Sequence, residues 1–260
     1  MSFTAALRTQ ERVLSAIVLR EIHLGLGRGG YRLVLSILEP LFALSIAILW
    51  HTLLRIQPAY GTSKVLFLST GLYSTYIFVH LSATFKHVSR LGTALRRFPL
   101  EKTVDLVLAS AFMKLTVFAF AGILGFGLIA GFVTADAIPA DWSKALLAMM
   151  ALALLGLGMG LCNAAIEQLL PLWPYIWNPI ARGLILFSGV IYVPDFLPVP
   201  IRNALSWNPV LQGVELFRRG FYPGYPTTCS RPVYLWIFAA VLVLVGLSAD
   251  RIFRRRLDVF

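Results

Sequence analysis

The sequence predicts an all-α, polytopic membrane protein with six transmembrane helices, an N-terminal interfacial helix and a re-entrant outer helical hairpin, forming one membrane domain over residues 1–260. Three observations predict it. The chain is 58% hydrophobic and only 13% charged, whereas soluble domains average about 25% charged residues. Six apolar runs reach the roughly 20 residues needed to cross a hydrocarbon core about 30 Å thick. Basic residues gather in the segments that six spans would leave on one side of the membrane. This composition excludes an ordinary soluble enzyme and a disordered chain, which needs low hydrophobicity and high charge.

Residues 1–32 come first. Leu7, Leu14, Ile17, Val18 and Ile22 recur at helical spacing, with Arg8, Gln10, Glu11 and Arg12 between them. Such a pattern suits a helix lying in the headgroup region, its arginines beside anionic lipid. Gly25, Gly27, Gly29 and Gly30 interrupt it before the first span. No short apolar core with a small-residue cleavage site is present, so no cleavable leader is expected.

The spans are expected at about Leu33–Leu54, Val65–Phe85, Asp105–Val133, Lys144–Ile166, Tyr175–Val193 and Val233–Ala249. Glu39 falls about two turns inside the first and is followed by Pro40, a pair read as structural: an interfacial acid beside a helix kink. Lys114 and Arg182 lie inside the third and fifth spans; Lys114 is close enough to an interface to snorkel, and Arg182 suits either snorkelling or a polar pathway. His51 and His80 lack metal-ligand spacing and are read as interfacial.

Charge sets the orientation. Residues 1–32, 86–102 and 251–260 hold fourteen of the 23 Lys and Arg residues. With six spans these three segments share one side, so both termini are expected in the cytoplasm. The net charge of +11 therefore reflects topology, and no nucleic-acid partner is expected. Cys162 then lies near the cytoplasmic end of the fourth span and Cys229 outside, too far apart for a disulfide. No metal site and no cofactor in this chain are expected.

The cytoplasmic connection 86–102 is longer than a turn requires. Val88, Leu91, Leu95 and Phe98 form one helical stripe, Arg90, Arg96 and Arg97 border it, and Pro99 ends it. A short helix of this kind is suited to docking in a groove on another protein. Aromatic residues make up 13% of the chain, and Trp173, Tyr175 and Trp177 cluster at the cytoplasmic start of span five. Trp50, Tyr73 and Tyr76 lie within the first two spans. Rings of this type form interface belts, and they also stack on sugars while their polar tips reach hydroxyls. Together with Arg182 they are candidates for lining a hydrophilic polymer's path.

Residues 194–232 are too apolar for a solvated loop and too rich in proline for a further span. Two short helices over 201–207 and 210–221 are expected, dipping into the outer leaflet and returning. Asn208 reads as an N-cap with Pro209 at the first helical position. Glu215 and Arg218 are spaced to pair on one helix face, leaving Arg219 for a headgroup or acidic ligand.

At this point the chain resembles the membrane subunit of polysaccharide-exporting ABC transporters, the capsular-polysaccharide permeases. Leu19-Arg20-Glu21-Ile22, then glycines and Leu38-Glu39-Pro40-Leu41, is similar to that family's approach to its first span. Phe187-Ser188-Gly189-Val190-Ile191-Tyr192, Leu197-Pro198, Trp207-Asn208-Pro209 and Glu215-Leu216-Phe217-Arg218 resemble its fifth span and outer hairpin. The resemblance implies a transport subunit without catalytic residues, located in the bacterial inner membrane. It implies a homodimer with two separate ATPase subunits that carry ATP and Mg; this chain has no phosphate-binding Gly-Lys-Ser/Thr loop. Arg90, Leu91, Leu95, Arg96, Arg97 and Phe98 would belong to the helix that couples to the ATPase. Trp207, Asn208, Pro209, Glu215 and Arg218 would belong to the outer gate. The substrate would be lipid-linked capsular polysaccharide, with periplasmic and outer-membrane export proteins as further partners. An O-antigen exporter, or a drug or lipid exporter of the same architecture, is the alternative. A membrane-embedded transferase would need an acid, base or nucleophile cluster, and the sparse carboxylates form no paired motif.

Overall fold

The computed structural model describes residues 57–85, 103–226 and 228–257, together with the helical positions Leu35, Leu38, Glu39, Leu41, Phe42, Ser45, Ile46 and Leu49 of the first expected span. Among these residues the fold is all-helical. Seven helices follow in order: α1 (Lys64–Ser82), α2 (Thr103–Phe132), α3 (Trp142–Leu169), α4 (Trp173–Phe187), α5 (Val199–Leu205), α6 (Pro209–Phe221) and α7 (Pro232–Leu257). Four stretches are long and apolar enough to cross a membrane: all of α1 and α3, Val107–Phe132 of α2 and Pro232–Ile252 of α7.

Helix α1 is the most buried of these four. Ser63 caps it by accepting a hydrogen bond from the Leu66 amide at 3.3 Å. Fourteen of its nineteen residues are buried, among them Ser69, Thr70, Ser74, Thr75 and Ser82. Most of these hydroxyls return to carbonyls of their own helix, as Thr70 does to Phe67 at 2.9 Å and Thr75 to Gly71 at 2.8 Å. A polar helix is thereby made compatible with a buried, membrane-crossing position.

Helix α3 packs between α1 and α7 through glycine. A methyl group on Gly156 would lie 2.7 Å from the Leu81 side chain, and one on Gly160 would lie 2.9 Å from the Leu81 carbonyl oxygen. On the opposite face, a methyl on Gly158 would lie 2.8 Å from the Val243 amide of α7. Small residues bring membrane helices into backbone contact, where dispersion and weak polar contacts replace the missing hydrophobic drive. The outer surfaces of α2 and α7 are apolar instead, with Phe112, Phe120, Ile123, Phe132, Val233, Ile237 and Leu244 exposed.

The fifth expected span is realised differently. Helix α4 has 15 residues, about 22 Å of length at 1.5 Å per residue, short of a full crossing. It ends at Phe187, and two residues later Gly189 adopts φ +70°, a left-handed conformation that favours glycine.

Candidate functional site

The segment after α4 contains the two charged side chains, among the described residues, that are fully buried, Glu215 and Arg218. Asn208 caps α6: its Oδ1 accepts from the Val210 amide at 3.0 Å, while its Nδ2 donates to the Phe187 carbonyl at 3.0 Å. The cap therefore also ties α6 to the end of α4. Eleven of the thirteen α6 residues are buried. Gly213 and Gly220 let it lie directly on α3, where added methyls would meet the Leu152 side chain at 2.3 Å and Ala145 at 2.9 Å. The Asp141 amide, at the start of α3, donates to the Gly220 carbonyl at 2.9 Å.

Arg218 holds this arrangement together. Its side chain is fully buried, with the guanidinium carbon 3.7 Å from the centroid of the Phe67 ring. Nη1 donates to the carbonyls of Gly189 at 2.6 Å and Tyr192 at 3.4 Å; Nη2 donates to those of Val190 at 2.7 Å and Phe67 at 3.2 Å. One cation thus fastens α6 to the turn after α4 and to α1. Gly71 is required beside it, because a methyl there would lie 2.6 Å from Nη2 and 3.0 Å from the Val190 backbone.

Glu215 is also fully buried, one turn before Arg218. The two meet through Tyr225: its hydroxyl donates to Glu215 Oε1 at 2.9 Å and accepts from Arg218 Nη1 at 3.4 Å. Burial pushes the Glu215 carboxyl up to about 7, against the attraction of Arg218. Tyr60, Tyr222 and Tyr225 pack edge-to-face and tilted around this network, and the Tyr60 hydroxyl donates to the Gly224 carbonyl at 3.0 Å. Asp195 closes the far side by accepting from the amides of Thr228 and Cys229 at 3.1 Å. The Cys229 thiol is buried, and its burial together with Asp195 pushes it up to about 12, which favours the protonated thiol. Arg219, expected to await an external ligand, donates to Ser230 Oγ at 3.2 Å. Trp207 is exposed, its carbonyl accepting from the Tyr234 hydroxyl at 2.8 Å.

A second tie joins the other ends of α1, α3 and α4. Asn163 Nδ2 donates to the Ser82 carbonyl at 3.0 Å, and its Oδ1 accepts from the Trp173 indole at 3.0 Å. The Trp177 indole donates to Ser82 Oγ at 3.3 Å, and the two indoles stack with centroids 6.4 Å apart. Trp177 is thus a buried brace. Tyr73 is buried as well, donating to the Phe118 carbonyl at 2.8 Å. Of the aromatic and basic pathway candidates, Tyr175 and Arg182 face outward from α4, and Tyr76 on α1 is half-buried. Lys114 donates to the His80 carbonyl at 2.8 Å, so it serves α1. Glu39 is exposed. Pro40, Trp50, the interfacial segment 1–32 and the coupling candidates Arg90, Leu91, Leu95, Arg96, Arg97 and Phe98 lie outside the described residues.

The sequence reading missed Asn163, Ser82 and the glycine contacts of α3. The Gly-x-Gly-x-Gly spacing over 156–160 was the available signal for the last of these.

Comparison with known proteins matches residues 12–222 to the family described as ABC-2 type transporter. The chain is 25% identical over 249 residues to the capsule polysaccharide export inner-membrane protein CtrC of Neisseria meningitidis serogroup A, covering 95% of this chain and 93% of that protein. It is 23% identical to the capsule polysaccharide export inner-membrane protein BexB of Haemophilus influenzae, covering 99% and 97%. It is 25% identical to the polysialic acid transport protein KpsM of Escherichia coli, covering 93% of each chain.

Proposed function

The chain belongs to the ABC-2 type transporter family, and from that premise we propose that it is the permease subunit of an ATP-driven exporter of lipid-linked capsular polysaccharide in the bacterial inner membrane. The observation that carries this reading is the end-to-end likeness to capsule-export proteins, over 95% of this chain for CtrC and 99% for BexB. Two copies form the conduit, each served by an ATPase subunit that supplies ATP and Mg. Each copy crosses the membrane six times with both termini in the cytoplasm. The first span includes the helical positions between Leu35 and Leu49, and the fifth comprises α4 with the turn that follows it.

The wall of the conduit is α4. The helix is tied at one end by Trp173 and Trp177 and at the other by Asn208 and Arg218, and only Trp177 and Ala181 are buried along it. Its exposed Tyr175 and Arg182, with the half-buried Tyr76 of α1, provide a stacking ring and polar groups to a passing glycan. Residues 86–102 seat in the ATPase. They follow α1 directly, so a push on them reaches the Ser82–Asn163–Trp173–Trp177 tie and through it α4. Helices α5 and α6 form a re-entrant hairpin at the outer mouth, and further export proteins receive the polymer beyond it.

The test is deletion of the gene in its host, followed by assay of polysaccharide inside and outside the cell with the lipid end characterised. Polymer retained inside and missing outside is the expected result, and its lipid separates capsule from O-antigen. Unchanged surface polymer, with no second transporter, would contradict polysaccharide export and favour a drug or lipid exporter.

A further inference from the structure

Glu215 and Arg218 lie one turn apart on α6, both fully buried, and they meet through the Tyr225 hydroxyl, 2.9 Å from Glu215 Oε1 and 3.4 Å from Arg218 Nη1. Two atoms of the pair, Glu215 Oε2 and Arg218 Nε, have no hydrogen-bond partner among the described residues. Ionising Glu215 here would leave a bare, desolvated carboxylate oxygen, which costs more than the neutral acid. Burial accordingly pushes this carboxyl up to about 7. Arg218 meanwhile spends both terminal nitrogens on the turn after α4: Nη1 on the carbonyls of Gly189 and Tyr192, Nη2 on that of Val190. A carboxylate three residues away on the same helix face is within reach of this guanidinium. It is also a stronger acceptor than a neutral carbonyl. Any N–H that an ionised Glu215 draws from Nη1 or Nη2 is withdrawn from these carbonyls.

We propose that Glu215 is a proton-binding site that latches α6 to the turn after α4: with its proton bound, Arg218 holds the carbonyls of residues 189–192, and with the proton lost to water, Arg218 turns to the Glu215 carboxylate and the turn is released. The other charged and titratable groups nearby are engaged. Arg219 donates to Ser230 Oγ at 3.2 Å, and Asp195 accepts from the Thr228 and Cys229 amides. Burial keeps Tyr192 and Cys229 protonated. Of the helices packed against α6, α1 brings Tyr73, which donates to the Phe118 carbonyl at 2.8 Å. Helix α3 brings Lys144, paired with Asp141 at 2.8 Å, and α7 brings Tyr234, which donates to the Trp207 carbonyl at 2.8 Å. Arg218 is thus the cation for which the carboxylate and the turn compete. The latch is a property of this chain; that its release alters the outer mouth of an exporter rests on the export reading.

The experiment follows amide hydrogen exchange by mass spectrometry on the full chain in phosphatidylcholine discs, corrected for the intrinsic pH dependence of exchange. Between about pH 5.5 and about pH 8.5, exchange at residues 189–193 should rise roughly tenfold or more, because a group that binds its proton more tightly in the closed form favours opening once ionised. Protection in α3 should stay higher than in this turn throughout. Glu215→Gln, which cannot ionise, should hold the turn at its low-pH exchange rate at both values. A wild-type turn whose exchange ignores pH would overturn the proposal, and that result stands even if Glu215→Gln does not fold. So would a rise that persists in Glu215→Gln. Equal protection of the turn and α3, rising together, would mean that the whole chain opens and would also overturn the latch. Surface polymer unchanged by gene deletion would remove the export reading while leaving these exchange results in place.

Discussion

Helices α5 and α6 are consecutive, short and led by proline, yet they treat their side chains in opposite ways. Helix α6 buries Glu215 and Arg218 along with its apolar residues, whereas α5 buries none of its seven residues and exposes Val199 and Ile201. Charge lies inside and apolar surface outside, the reverse of a soluble protein. In the proposed re-entrant hairpin both choices follow from one rule. Apolar side chains cost nothing when they face lipid, while ionised groups need protein carbonyls or hydroxyls around them. The comparison divides the proposed outer hairpin into a limb that is part of the core and a limb that only borders it.

Breaking the buried limb should have the largest effect. Arg218→Met removes the donors for four carbonyls, and unpairing a buried charge-assisted network costs about 3–5 kcal/mol. The thermal midpoint of the purified protein in detergent should fall sharply or the protein should fail to accumulate in membranes. Arg218→Lys should recover little of it, because a single ammonium group cannot span carbonyls at residues 67, 189, 190 and 192.

Glu215 sharpens the comparison through pH. Its carboxyl is raised by burial to about 7 from 4.5, with Arg218, Tyr225, Asp195 and Arg219 the charged or titratable groups around it. A raised folded value means stability that is fully present below the unfolded value and lost as pH rises through the folded one. The thermal midpoint should therefore decline between about pH 4.5 and 7, by up to about 3 kcal/mol in stability, and level off above. Glu215→Gln should remove that decline. Gly71→Ala should cost about 1–3 kcal/mol, since the added methyl meets both Arg218 and the Val190 backbone. On the other limb, Ile201→Ala should change stability by no more than about 0.5 kcal/mol, because the side chain is exposed.

Much of this architecture was legible. The apolar runs placed α1, α2 and α3 within three residues at each end, and Asn208-Pro209 marked the start of α6, because hydropathy and capping act locally. The final span was read only to 249, since Arg251 and Arg254–Arg256 ended the apolar run, whereas the helix continues to Leu257. Helix α4 was read too long because Ser188–Val193 is apolar; the left-handed Gly189 and the pull of Arg218 on its neighbours are tertiary facts. The three-residue spacing of Glu215 and Arg218 suggests a direct pair, whereas in the fold they are joined through Tyr225, and their burial depends on Phe67, Tyr225 and the 189–192 turn, which no spacing on α6 reveals. Trp177 looked like a sugar platform in sequence and is committed to Ser82 in the fold, while Tyr175, two residues away, turns outward.

The central claim is that water covers the outward strip of α4 while α6 belongs to the protein core. Thiol labelling tests it most directly. In a background with Cys162→Ala and Cys229→Ala, single cysteines would be introduced at Tyr175, Arg182, Leu216 and Phe217 and exposed to a charged maleimide in membrane vesicles permeable to it. Rapid labelling at positions 175 and 182 with none at 216 and 217 is the predicted result. A cysteine at 182 that reacts no faster than one at 217 would contradict it, placing the α4 strip against lipid or protein and leaving the proposed conduit without its wall.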